Sequence, residues 1–107
     1  MFKQIDCSDA VKLLARSHPI ILDARDPDSF QAGHIQGAIH LTMQALQDFI
    51  ETTDTHHPIL IYCYHGITSQ SIAEHLFEQG FVEVYSLSGG FEKWNQYHQT
   101  LEKKHDQ

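Results

Sequence analysis

Pro58-Ile59-Leu60-Ile61-Tyr62-Cys63-Tyr64-His65-Gly66-Ile67-Thr68-Ser69 is the stretch on which the reading of this chain turns. Its apolar first half, entered from the polar segment Thr52 to His57, reads as a strand buried on both faces. Cys63 closes that run. The chain must then reverse within a few residues and enter a helix opened by Ser69 and running to Gln79. In that helix Ile72, Ala73, Leu76 and Phe77 recur at helical spacing, and Gly80 marks the stop. Gly66 gives the backbone the freedom that so short a curl demands. A cysteine at the carboxyl end of a buried strand stands where ligands collect in open α/β sheets.

Outward from this centre, short β-like runs alternate with amphipathic helical windows, the pattern of an α/β fold around a mainly parallel sheet. Phe2 to Ile5 reads as a first strand, and Ser8 as the N-cap of a helix through Arg16 with Ala10, Val11, Leu13 and Leu14 inward. Pro19 to Leu22 is a buried strand ending at Asp23. Asp26-Pro27 then supplies an N-cap and a first-turn proline for a short helix stopping at Gly33. Ala38 to Leu41 is a strand, and Thr42 caps a helix whose Met43, Leu46, Phe49 and Ile50 face the core. Phe81 to Tyr85 is the last strand, and Ser88-Gly89-Gly90 turns the chain into a final helix with Phe91 and Trp94 on one face. Residues 1–97 are expected to form a single domain, and residues 98–107 a polar C-terminal tail.

The 107 residues suffice for one domain that buries about two-thirds of its unfolded surface. Fourteen acidic residues against seven basic give a net charge of -7, which repels phosphate backbones, so no nucleic-acid partner is expected. No apolar run approaches the roughly 20 residues needed to span a bilayer, and the first residues are too polar for an export signal. A cytoplasmic location without a membrane partner is the expectation. In that compartment Cys7 and Cys63 stay reduced. Nine histidines raise the question of a metal, but no Cys-x-x-Cys or His-x-x-x-His spacing is present, and no metal site is expected.

A loop curled tightly after Cys63 points successive N–H groups inward and forms an anion-binding nest, to which the following helix adds positive potential. A helix terminus supplies roughly 0.3–1 kcal/mol, up to about 2 when partly buried. At about 1.36 kcal/mol per pKa unit this lowers a thiol by about one unit, and any further lowering must come from N–H bonds to the sulfur. The alternative for Cys63 is an inert core cysteine; the glycine-containing loop and the helix start argue against it. Tyr64, His65, Gly66, Ile67, Thr68 and Ser69 are therefore candidate substrate-binding residues through their amides. The His65 side chain is a candidate for electrostatic help to an anion. Asp23 and Arg25 are read as supporting residues, a structural ion pair rather than a substrate contact. Gly33-His34 is read as a turn in which the histidine bonds backbone, Gly89-Gly90 as a tight turn, and Cys7 as inert.

Two longer stretches resemble the rhodanese family. Ile21-Leu22-Asp23-Ala24-Arg25 followed by Phe30 to Leu41 is similar to the family's LDxR…F…GHIxGAxxL pattern, and Gly80 to Trp94 to its closing GFxxVYxLxGGFxxW. Both surround the Cys63 loop in the family's order, and Cys-Tyr-His-Gly resembles the loop of its single-domain bacterial thiosulfate sulfurtransferases. The resemblance implies a central, mainly parallel five-stranded sheet with helices on both faces. It also implies that Cys63 is a nucleophile carrying sulfur as a persulfide between a small-molecule donor such as thiosulfate and cyanide or a thiol acceptor such as thioredoxin, with no cofactor. Many relatives carry an arginine where this chain has Thr68, and others carry basic residues where it has Tyr64 and His65. Attraction for a dianionic donor is accordingly expected to be weak. Two other classes share features of the loop. A cysteine phosphatase or arsenate reductase would need arginine six residues after the cysteine, where Ser69 stands, and a noncatalytic binding module would have no need of Cys63.

Overall fold

β4 (Ile59–Tyr62) pairs in parallel with β2 (Ile20–Asp23) on one side and β5 (Val84–Leu87) on the other, and all four of its residues are buried. This is what its unbroken apolar run requires: a strand with helices on both faces has no polar side to present. β1 (Lys3–Ile5) and β3 (Ile39–His40) complete a five-stranded sheet of order β1-β5-β4-β2-β3, every pairing parallel. The computed structural model describes the chain through residue 105, and side chains through residue 99. The expected α/β architecture with a five-stranded central sheet is the one observed.

Two apolar layers sandwich the sheet. On one face α1 (Cys7–Ser17) and α5 (Gly90–His105) bring Ala10, Leu13 and Trp94 onto Ile21, Leu60, Tyr62 and Leu87. On the other, α3 (Met43–Thr52) and α4 (Thr68–Glu78) bring Leu46, Ile72, Ala73 and Leu76 onto Leu22, Ile59, Ile61 and Val84. Alternate residues of β4 thus serve opposite layers, as strand periodicity dictates. The short α2 (Pro27–Ala32) follows β2, with Asp26 as its N-cap and proline in its first turn, as expected. Thr42 caps α3 through its side chain, also as expected.

Several boundaries differ from the sequence reading, each for a local reason. The N-cap of α1 is Asp6, whose carboxylate accepts from Asp9 N–H at 2.8 Å, so Cys7 and Ser8 lie inside the first turn. α4 begins at Thr68 with no side-chain cap, because its N-cap is Ile67, whose side chain has no acceptor; Ser69 lies inside the first turn and is fully buried. β5 starts at Val84 and not at Phe81; Phe81 donates its N–H to Leu76 O, closing the end of α4, and stacks on Phe49. Val11, Met43 and Phe77 lie on the outer edges of their helices, 39%, 68% and 36% exposed, and are not the core residues that spacing suggested. α5 continues to His105, so the polar stretch expected as a tail from residue 98 is helical that far.

Candidate active site

Cys63 follows the carboxyl end of β4 and is only 6% exposed. Its Sγ accepts N–H bonds from Gly66 at 3.2 Å and Ser69 at 3.3 Å, and the thiol meets Ser69 Oγ at 3.4 Å. Ser69 Oγ is in turn 2.8 Å from Ser86 Oγ on β5, and both serines are fully buried. Burial opposes ionisation of Cys63, but the Ser69 hydroxyl and the N–H groups of Ser69, Gly66 and His65 outweigh it and hold the thiol below its ordinary value.

The curl is held from outside by α5. Phe91 N–H donates to Cys63 O at 2.9 Å and Glu92 N–H to Tyr64 O at 3.1 Å, so orphan donors of the α5 N-terminus are satisfied by loop carbonyls. A trans peptide carries its N–H opposite its C=O, so anchoring these carbonyls toward α5 turns the Tyr64 and His65 N–H groups away from it. Gln70 Nε2 donates to Gly66 O at 2.7 Å. The two segments touch where only glycine fits. Gly66 has φ +87°, and a Cβ there would stand 2.7 Å from Gly89 N; Gly90 has φ +62°, and a Cβ would stand 2.5 Å from the carbonyl oxygens of Cys63 and Tyr64.

The remaining loop side chains form a rim. Tyr64 is 50% and Ile67 73% exposed, and Thr68 also faces outward. His65 stands edge-on to Tyr64 and brings Nδ1 to 2.8 Å from Glu92 Oε2. Glu92 was not singled out by the sequence reading, and its carboxylate offsets any positive charge on His65. Beside the rim, a groove of about 330 Å³ is lined by Arg25, Ser29, Tyr64, Phe91, Glu92 and Asn95, among others. A larger groove of about 850 Å³ lies between α1 and α5 and is lined by Val11, Leu14 and Trp94, with none of residues 63–69 in its wall.

Asp23 and Arg25 form a separate buried assembly. Asp23 is fully buried and accepts from Arg25 Nη2 at 2.7 Å, from Arg25 N–H at 2.9 Å and from Tyr62 OH at 2.6 Å. Burial would raise the Asp23 carboxyl, but the bonds from Arg25 and Tyr62 keep it below the usual range. Burial and the Asp23 carboxylate together push the Tyr62 phenol well up. Arg25 also donates to Gly33 O at 2.6 Å and lies over the Phe91 ring at 4.1 Å, so it clamps α2 and α5 to the sheet. Among the described hydrogen bonds none joins this assembly to Cys63 Sγ. His34 bonds Phe30 O through Nδ1 at 2.7 Å, the backbone-fixing arrangement expected of it. Cys7, in the first turn of α1, is buried, and burial followed by the Asp6 charge pushes its thiol up.

A parallel sheet whose central strand ends in a cysteine ringed by amides is the plan of a rhodanese-type domain, and the family model for the rhodanese-like domain matches residues 6–97; the chain belongs to that family. Among curated relatives it is 52% identical over 100 residues to thiosulfate sulfurtransferase GlpE of Coxiella burnetii, covering 94% of each chain. It is 43% identical to the GlpE of Vibrio cholerae, with 94% of this chain and 95% of the relative covered. Among solved structures, the rhodanese-like domain from Anabaena sp. superposes with a TM-score of 0.79 at 24% identity, covering 91% of this chain and 76% of that one. A rhodanese-related protein from Thermoplasma volcanium superposes with a TM-score of 0.77 at 21% identity, covering 90% and 93%. These structural likenesses bear on the fold.

Proposed function

We propose that this chain is a thiosulfate sulfurtransferase working through a Cys63 persulfide. The observation that carries the reading is the seat of Cys63 Sγ, which meets the N–H groups of Gly66 and Ser69 and the Ser69 hydroxyl at 3.2–3.4 Å. Such a seat favours an anionic sulfur. The Cys63 thiolate attacks the outer sulfur of thiosulfate, a new S–S bond forms, the old one breaks, and sulfite departs with the electron pair. The terminal sulfur of Cys63–S–S⁻ then rests against the inward N–H groups of residues 64–69 until an acceptor takes it. Two displacements replace one harder transfer.

Residues 1–97 carry this reaction as one unit, with Asp23 and Arg25 supporting the site from behind. The acceptor is cyanide or a thiol, with a dithiol protein such as thioredoxin as the physiological candidate and the cytoplasm as the matching compartment. Among the described residues no helix is long and apolar enough to cross a membrane. Incubation with thiosulfate followed by intact-mass measurement tests the reading. One added sulfur is expected on the wild type and none on Cys63→Ser; equal loading of both proteins overturns it.

A further inference from the structure

We propose that His65 is the base that takes the proton from a thiol acceptor, and that Glu92 is the positioning residue that holds it in that role. The inference rests on the transfer reading above and concerns its second half. Loading from thiosulfate takes no proton from the incoming reactant: thiosulfate carries none to give and sulfite leaves as an anion. Discharge to a thiol is different. An ordinary thiol has a pKa of about 8.5 and is mostly protonated near neutral pH, while only the thiolate attacks a disulfide-like sulfur. The seat itself offers N–H donors, which cannot accept a proton, and Ser69 Oγ is engaged with Cys63 and Ser86.

The rim supplies what the seat lacks. His65 lies two residues beyond Cys63 with its side chain 64% exposed, and Nδ1 is 2.8 Å from Glu92 Oε2. A carboxylate at Nδ1 accepts a hydrogen bond from the Nδ1–H, so the neutral ring carries its lone pair on Nε2. Glu92 is fastened to the same loop a second time by its N–H on Tyr64 O at 3.1 Å, and the Tyr64 ring stands edge-on to His65 at 4.6 Å. Among the described contacts, the groups facing the imidazole are Glu92 from α5 and Tyr64 from its own loop. Arg25 lines the adjoining groove from β2–α2, but its guanidinium is engaged by Asp23 and Gly33 O. Among the described hydrogen bonds none joins the His65 ring to Cys63 Sγ, so the ring serves the incoming reactant and not the nucleophile.

The step balances without an oxidant. The acceptor S–H bond breaks and its proton goes to His65 Nε2. The electron pair left on the acceptor sulfur forms a bond to the outer sulfur of the persulfide. The bond between that sulfur and Cys63 Sγ breaks, and its pair returns to Sγ as a thiolate held again by Gly66 and Ser69. The product leaves as a persulfide anion, and the imidazolium passes its proton to water.

The test is single-turnover discharge of persulfide-loaded protein at neutral pH with two acceptors: 2-mercaptoethanol, which is mostly protonated, and thionitrobenzoate, which is ionised. General-base assistance is worth about 10²–10⁴, so both Glu92→Gln and His65→Gln are expected to slow 2-mercaptoethanol by about tenfold or more, and thionitrobenzoate much less. The double variant falls no further, because the pair acts as one unit, and Glu92→Asp recovers part of the rate. Loss of a charge alone would not slow a neutral thiol. Equal slowing of both acceptors, or unchanged 2-mercaptoethanol rates, overturns the inference while leaving the transfer reading intact. Failure of the wild type to load any sulfur overturns both.

Discussion

Ser69 decides how readily Cys63 ionises. Its N–H and its hydroxyl both meet Sγ, and its hydroxyl is backed by Ser86 on β5. A hydrogen bond to a charged group is worth about 1.5–3 kcal/mol, and a pKa unit about 1.36 kcal/mol. In Ser69→Ala the pH midpoint of iodoacetamide alkylation should therefore move up by about one to two pH units. An unmoved midpoint would show that the amides alone hold the sulfur. The sign for stability follows from the lowered folded-state value. Between that value and the ordinary thiol value of about 8.5, the unfolded chain binds the proton and the folded one does not, so stability rises with pH through this window and is lost on falling through the folded value. Ser69→Ala narrows the window, and its urea midpoint should climb less between neutral and mildly alkaline pH than that of the wild type.

At the level of elements, the loop after β4 and the first turn of α5 are one device. Loop carbonyls cap the helix, and the helix in turn keeps the loop amides facing the sulfur. Gly90 is where the two backbones meet. Alanine there must adopt φ +62° at a cost of about 1–2 kcal/mol and also place Cβ 2.5 Å from two carbonyl oxygens. Gly90→Ala should lose most of its persulfide loading even where circular dichroism shows the fold retained, with Cys63 alkylation shifted to higher pH. Retained loading in a folded variant would separate the helix from the seat. The contacts inside the loop were legible in the sequence because their partners are near: Gly66 and Ser69 lie three and six residues beyond Cys63. Ser86 was not, being 17 residues from Ser69, nor was the Tyr62 hydroxyl, which reaches Asp23 across 39 residues. Glu92 was passed over because a glutamate in a first turn reads as an ordinary helix-dipole partner, and only the folded chain brings it to His65. Periodicity erred at Met43 and Phe77 for a related reason: both flank the apolar stripe, and how wide a stripe is covered depends on the neighbouring elements.

The whole molecule sets a field that opposes its own site. Seven basic residues against fourteen acidic leave a net charge of -7, while the seat of Cys63 is built from uncharged amides and a hydroxyl, and Glu92 stands beside His65 at the rim. Amide dipoles act over a few ångströms inside the protein and are barely screened, whereas the net charge acts through solvent over a Debye length of about 30 Å at 0.01 M and about 8 Å at 0.15 M salt. A thiosulfate dianion approaching at low salt thus meets repulsion first and attraction only on arrival. Raising the salt removes the first and spares the second, so kcat/KM for thiosulfate should rise with ionic strength, by about twofold or more over that range. Discharge to a neutral thiol, which carries no charge through the field, should stay nearly flat. A steady fall for thiosulfate would mean that a positive potential at the rim outweighs the net charge.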